Sequence, residues 1–193
     1  MADSAAGRVT ADREQWYASL MAHSVGQGND HALACMTASW LTGAGALPQG
    51  WGLSGDDFTT LMAFHFPGWD SASATGPATQ VDATRDDERG ELVKLMKAHR
   101  AGWSPSEIWV AAIVAEACMA NDHLWQDLGL WCRADLSDLM ERNFPTLAAK
   151  NVANMKWKKF LYKQLCVAEG IYTCRAPSCA VCVDYQVCFG PEE

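Results

Sequence analysis

Ser104-Pro105-Ser106-Glu107, followed by Ile108-Trp109-Val110-Ala111-Ala112-Ile113-Val114-Ala115-Glu116-Ala117-Cys118-Met119, is the stretch from which the fold is read. Serine at the N-cap, proline at the first helical position and glutamate at the third, reaching back as a capping box, are three concordant signs of a helix start. The residues that follow are apolar on nearly every side, so this helix is expected to be central and buried. Glu116 is the exception; it is expected either to pair with Arg89 or Arg100 or to stand as an acid behind a site.

Working outward, the remaining segments show the same period. Trp16, Tyr17, Leu20 and Met21 recur at helical spacing between Ala11 and His23, and Gly26-Gln27-Gly28 ends that pattern. Asn29-Asp30 opens a second helix towards Trp40, and Ser54-Gly55-Asp56-Asp57 precedes a third, stopped by Pro67-Gly68. Arg85 to Arg89 starts another, with Leu92, Leu95, Met96 and His99 on one stripe. His123 to Leu130 and Asp135 to Met140 are shorter. A lysine-rich helix then runs to Glu169, with Gly170 placed as its C′ residue. No alternating strand pattern of useful length occurs. The expected class is therefore all-α: an irregular multi-helix single domain with a C-terminal cysteine-rich metal-binding loop. Residues 1–10 read as a flexible N-terminus, 11–173 as the helical domain with a mobile loop at about 70–81, and 174–193 as the cluster-binding loop and tail.

At 193 residues the chain has room for one domain with a real core. A hydrophobic content of 49% with nine tryptophans fits a globular protein. The net charge of −8 argues against nucleic acid as a partner, because a phosphate backbone needs a basic footprint. With no apolar leader segment and no stretch of membrane-spanning length, no membrane association and a cytoplasmic location are expected. Eight cysteines in a reducing compartment are then thiols open to metal.

Half of those cysteines lie together. Cys174, Cys179, Cys182 and Cys188 form a C-x4-C-x2-C-x5-C run, with too few apolar neighbours to bury each separately. Structural zinc sites usually join two knuckles across a longer segment. The first three cysteines instead follow the C-x4-C-x2-C spacing of plant-type iron–sulfur loops. Iron–sulfur is favoured over zinc, and a disulfide pair ranks below both. Pro177 helps such a loop turn; Arg175 either offsets thiolate charge or is merely solvated.

Met155-Lys156-Trp157-Lys158-Lys159-Phe160-Leu161-Tyr162-Lys163-Gln164-Leu165-Cys166, the four-cysteine run, and Cys188-Phe189-Gly190-Pro191-Glu192 together resemble the C-terminal half of the NifQ family of nitrogen-fixation proteins. Asp122 to Leu130, Ala117-Cys118-Met119 and Phe144-Pro145 carry the same likeness. The resemblance implies a molybdenum-donor protein, not a turnover catalyst. It implies a cluster of 3Fe-4S type able to incorporate molybdenum, held by Cys174, Cys179, Cys182 and Cys188, for nitrogenase iron-molybdenum cofactor biosynthesis. The implied partners are the cofactor-assembly scaffold, the nitrogenase iron protein and a molybdenum source such as molybdate. A ferredoxin-like electron carrier and a zinc-stabilised interaction domain are the competing functions.

Other residues are weighed singly. His123 is a candidate metal ligand, its second nitrogen oriented by Asp122 or Asp127, although a capping role is the commoner use of a histidine at a helix junction. Cys166, at the end of the lysine helix, is near enough in sequence to join the cluster. Cys118 is a further candidate ligand, with a core role favoured. Cys35 and Cys132 read as structural, and His65 and His99 as core residues. Lys156, Lys159 and Lys163 share a face that either is simply solvated or attracts molybdate or an acidic partner.

Overall fold

The computed structural model describes residues 2–71, 74–76, 83–168 and 185–190, with side chains from residue 12 onward. Among them are ten α-helices, two short 3-10 segments and no strand. In chain order the α-helices are α1 (Ala2–Met21), α2 (Asp30–Leu41), α3 (Gly55–His65), α4 (Asp86–Ala98), α5 (Ser106–Cys118), α6 (Leu124–Asp127), α7 (Arg133–Asn143), α8 (Pro145–Ala148), α9 (Trp157–Ala168) and α10 (Tyr185–Phe189). None is long and apolar enough to cross a membrane.

α5 is the central element. Val110, Ala111, Ile113, Val114, Ala115, Ala117 and Cys118 are all buried, and the helix packs against α3, α4, α6 and the 3-10 turn Gln49–Gly52. Its start keeps half of the expected capping box: the helix begins at Ser106 with Pro105, not Ser104, at the N-cap and no side-chain cap there, while the Glu107 carboxylate does reach back. Glu107 accepts from the backbone N–H of Ser104 (3.0 Å), Trp103 (2.7 Å) and Gly102 (2.9 Å). One carboxylate thereby satisfies three successive amides before the helix and also meets Arg100 at 3.3 Å. Burial works to raise the Glu107 pKa, but these amides and Arg100 outweigh it and hold the carboxyl below its ordinary value.

The buried Glu116 is paired with Arg89 of α4, Nε to Oε2 at 2.7 Å, which resolves the alternative left open by the sequence, since Arg100 serves Glu107. Gly52 lies close against this pair. Its φ of +77° is in the left-handed region, and a Cβ there would sit 2.8 Å from Glu116 Oε2. The turn drives the fully buried Trp51 edge-on against Trp40 and Phe58.

A second polar knot lies beneath the surface. Asn29 donates to Ser106 Oγ (3.0 Å) and exchanges hydrogen bonds with Asn143 (2.8 Å each way), fixing the starts of α2 and α5 to the end of α7. Asp30 accepts from His65 at 2.5 Å, with both side chains buried. His65 is thus a core residue, as expected. His99 departs from its expected core role: half-buried at the end of α4, it meets Thr146 Oγ1 at 2.7 Å and Lys150 at 3.2 Å.

Several boundaries differ from the sequence pattern. α1 begins at Ala2 instead of Ala11. α8 begins at Pro145 itself and was not foreseen, because a single turn is too short to show a period. Of the expected loop at 70–81 only part is described, and there Ala74 is buried in the core despite the polar composition around it. The end of the lysine helix at 169–170 lies outside the described residues.

Candidate metal centre

Trp157, Phe160 and Leu161 fill the buried side of α9, and Leu165 packs at its edge. Polar contacts fix the helix in place. Arg85 donates to Met119 O (2.8 Å) and to Tyr162 Oη (2.9 Å), and Tyr162 in turn donates to Glu88. Lys158 donates to Ala120 O (2.9 Å) and pairs with the buried Asp127 of α6, which also accepts from the backbone N–H of Asp122. α9 is therefore clamped to the α5–α6 junction.

That clamp forms a cleft of about 440 Å³ lined by Asp122, His123, Lys156, Lys158, Lys159 and Val187, among others. His123 occupies the N-cap position of α6, where its backbone N–H donates to Gln126 Oε1 at 3.3 Å, and it is half-buried at the cleft wall. The capping role and cleft lining coexist in one residue. Among the described residues no carboxylate forms an ion pair with Lys156 or Lys159, whereas Lys158 is spent on Asp127.

Val187 brings the cysteine-rich segment to this cleft. Its neighbour Cys188 lies on α10, half-buried, with Cys188 and Phe189 packed against the core. The backbone N–H of Lys156 donates to Cys188 O at 2.8 Å. The expected irregular loop thus ends in a helical turn. Phe189 lines a separate hollow of about 110 Å³ together with Lys150 and Lys163. The expected single lysine face is therefore divided: Lys156 and Lys159 face one hollow and Lys163 the other, with α10 between.

Cys174, Arg175, Cys179 and Cys182 lie outside the described residues. Cys166 is half-buried on α9. Cys118 is 2% exposed, and burial pushes its thiol up to about 12; in that state it is a small apolar core residue.

The NifQ family profile matches residues 32–190. The chain belongs to the NifQ family. Protein NifQ of Azotobacter vinelandii is 45% identical over 160 residues, covering 78% of this chain and 82% of that protein. Protein NifQ of Rhodobacter capsulatus is 38% identical over 150 residues (78% and 81%), and the NifQ homolog of Sinorhizobium fredii 35% over 173 residues (86% and 73%). No solved structure matches the chain. Within this NifQ-family fold, the short α10 beside the His123 and lysine cleft is what sequence reasoning missed. The signal available was the Tyr185-Gln186-Val187-Cys188-Phe189 run, apolar at its third and fifth residues, immediately before Gly190.

Proposed function

We propose that this chain carries an iron–sulfur cluster able to incorporate molybdenum and supplies that molybdenum for nitrogenase iron-molybdenum cofactor biosynthesis. Cys174, Cys179, Cys182 and Cys188 hold the cluster. His123, Lys156 and Lys159 receive molybdate beside it. The observation that carries this reading is the position of Val187: the residue next to the last thiol of the run lines the same cleft as His123 and the two lysines.

The chemistry of the donors fits the cargo. A cuboidal core lacking one metal corner takes three thiolates for its irons, leaving a corner for a different metal. Cys188 is neither sealed in the core nor fully exposed, so a cluster can reach it. Molybdate is a dianion, and two lysines without carboxylate partners among the described residues raise its local concentration. His123 offers an imidazole at the same wall. The protein acts as a donor and not a turnover catalyst, works in the cytoplasm, and hands its cargo to the cofactor-assembly scaffold with the nitrogenase iron protein.

Anaerobic purification with iron, sulfide, molybdenum and zinc analysis, together with visible and paramagnetic spectra, tests the reading. Iron, sulfide and molybdenum present together, and absent after replacing the four cysteines with alanine, is the expected result. A permanent cluster without molybdenum indicates an electron carrier; a colourless protein holding zinc indicates an interaction domain. Either outcome overturns the proposal.

A further inference from the structure

Apart from the proposed cluster ligands, three metal-ligating side chains converge where α7 packs on α2. His31 and Cys35 are one helical turn apart on α2, so their side chains fall on the same face. Asp135 comes from the first turn of α7. One ligand atom from each of the three lies within 4.8 Å of the others. His31 Nε2 is 3.4 Å from Asp135 Oδ1, and Cys35 Sγ is 3.8 Å from the same nitrogen.

These separations are those of a metal-ligand shell. Zinc bonds near 2.3 Å to sulfur and 2.0–2.1 Å to nitrogen and oxygen set tetrahedral edges of roughly 3.6 Å for S···N and roughly 3.3 Å for N···O. The surroundings also fit. Tyr17 Oη lies 2.9 Å from His31 Nδ1, the nitrogen facing away from Asp135; with Nδ1 protonated and donating to Tyr17, Nε2 is left as the ligand. Asp135 Oδ2 accepts from the backbone N–H groups of Trp131 and Cys132 (3.1 Å each), which fixes its carboxylate and leaves Oδ1 turned to His31. His31 is exposed, so an ion can enter and water can fill the fourth position.

We propose that His31, Cys35 and Asp135 bind a divalent ion of the zinc class, separate from the C-terminal cysteines. A thiol, an imidazole and a carboxylate suit a borderline ion better than a hard one such as magnesium. Binding releases the Cys35 proton to solvent, and the ion joins α2 to α7, with Tyr17 tying in α1. The thiol is buried and, in the metal-free protein, sits at about 12, raised chiefly by that burial and next by Asp135. The ion must displace this proton, which makes uptake weaker in acid.

The full-length chain in which Cys174, Cys179, Cys182 and Cys188 are all replaced by alanine is titrated with Co2+ under anaerobic conditions. One equivalent is expected to bind, with tetrahedral d–d bands and thiolate-to-cobalt charge transfer, and zinc should displace it. His31→Gln, at an exposed position that leaves helix content unchanged by circular dichroism, should weaken binding at least tenfold, and Asp135→Asn should also weaken it. Cys35→Ser should abolish the charge transfer, while Cys118→Ala should leave it intact. No uptake of cobalt, or uptake unaltered in His31→Gln, overturns the proposal. Because the terminal thiols are absent throughout, that failure would leave the cluster-carrier reading untouched.

Discussion

The backbone N–H of Lys156 donates to the carbonyl of Cys188 at 2.8 Å, so the backbone of the last cysteine of the run is bound directly to the residue that leads into the lysine helix. The last cysteine and the start of the lysine helix are thereby fixed to each other by one short backbone contact.

The division of the lysines by α10 gives them unequal roles. Reversing Lys156 and Lys159 together to glutamate should slow molybdenum acquisition about tenfold, through loss of local anion attraction. Iron content should stay unchanged. Lys163→Glu, which alters the other hollow, should leave the rate within about twofold, since a charge outside the cleft is screened. Time-resolved molybdenum analysis of the three proteins separates these outcomes; equal effects from Lys163 would mean the charge acts only in bulk.

Asp127 and Lys158 hold α6 against α9. Asp127→Asn leaves the Lys158 ammonium, 17% exposed, with only Ala120 O and a neutral amide. The expected loss is about 2–3 kcal/mol of stability, measured by urea denaturation, since stranding one partner of a largely buried pair is costly. The same change should loosen the wall that carries His123.

Glu107 sets a pH dependence. Its carboxyl is held below the usual glutamate value of 4.5 in the folded chain, so the folded state binds fewer protons than the unfolded one. Its contribution is fully present above pH 4.5 and is lost as the pH falls through the lower folded value. Glu107→Gln should therefore cost about 1–2 kcal/mol at pH 7, and the gap between variant and wild type should narrow below pH 4.5. Denaturant midpoints across pH 3 to 7 test this; a gap independent of pH would contradict it.

Thiol reactivity should follow burial. In the native protein iodoacetamide should modify Cys132, which is exposed, long before Cys35 or Cys118, both buried with thiols pushed up to about 12. Peptide mapping by mass spectrometry gives the order. Prompt labelling of Cys118 would make it available to a cluster after all.

The helical architecture was legible because apolar period and caps are local properties of the chain. Ser104 to Glu107 announced α5, and the uniform apolarity of residues 108–119 placed it at the centre. What could not be read was long-range pairing. The choice of Arg89 over Arg100 for Glu116 depends on how α4 lies against α5, and Trp51 enters the core only because Gly50 and Gly52 take left-handed conformations around it. The site was legible in its parts: His123, Lys156, Lys159 and Cys188 each stood out by residue type. That His123, Lys156 and Lys159 line one cleft with Val187, the neighbour of Cys188, required the Lys158–Asp127 clamp, whose partners are far apart in sequence. Cys35 read as structural in the sequence; its four-residue spacing from His31 carries little by itself, and Asp135 reaches them only through the packing of α7 on α2.

The attachment of α10 also bears on the entropy of gathering the cysteines. α9 and α10 are both placed by the helical fold, with Cys188 and Phe189 packed against the core, so the last cysteine of the run is positioned by protein contacts alone. If Cys188 serves as a cluster ligand, as proposed, the configurational cost of placing that sulfur is met by protein folding itself, before any metal binds.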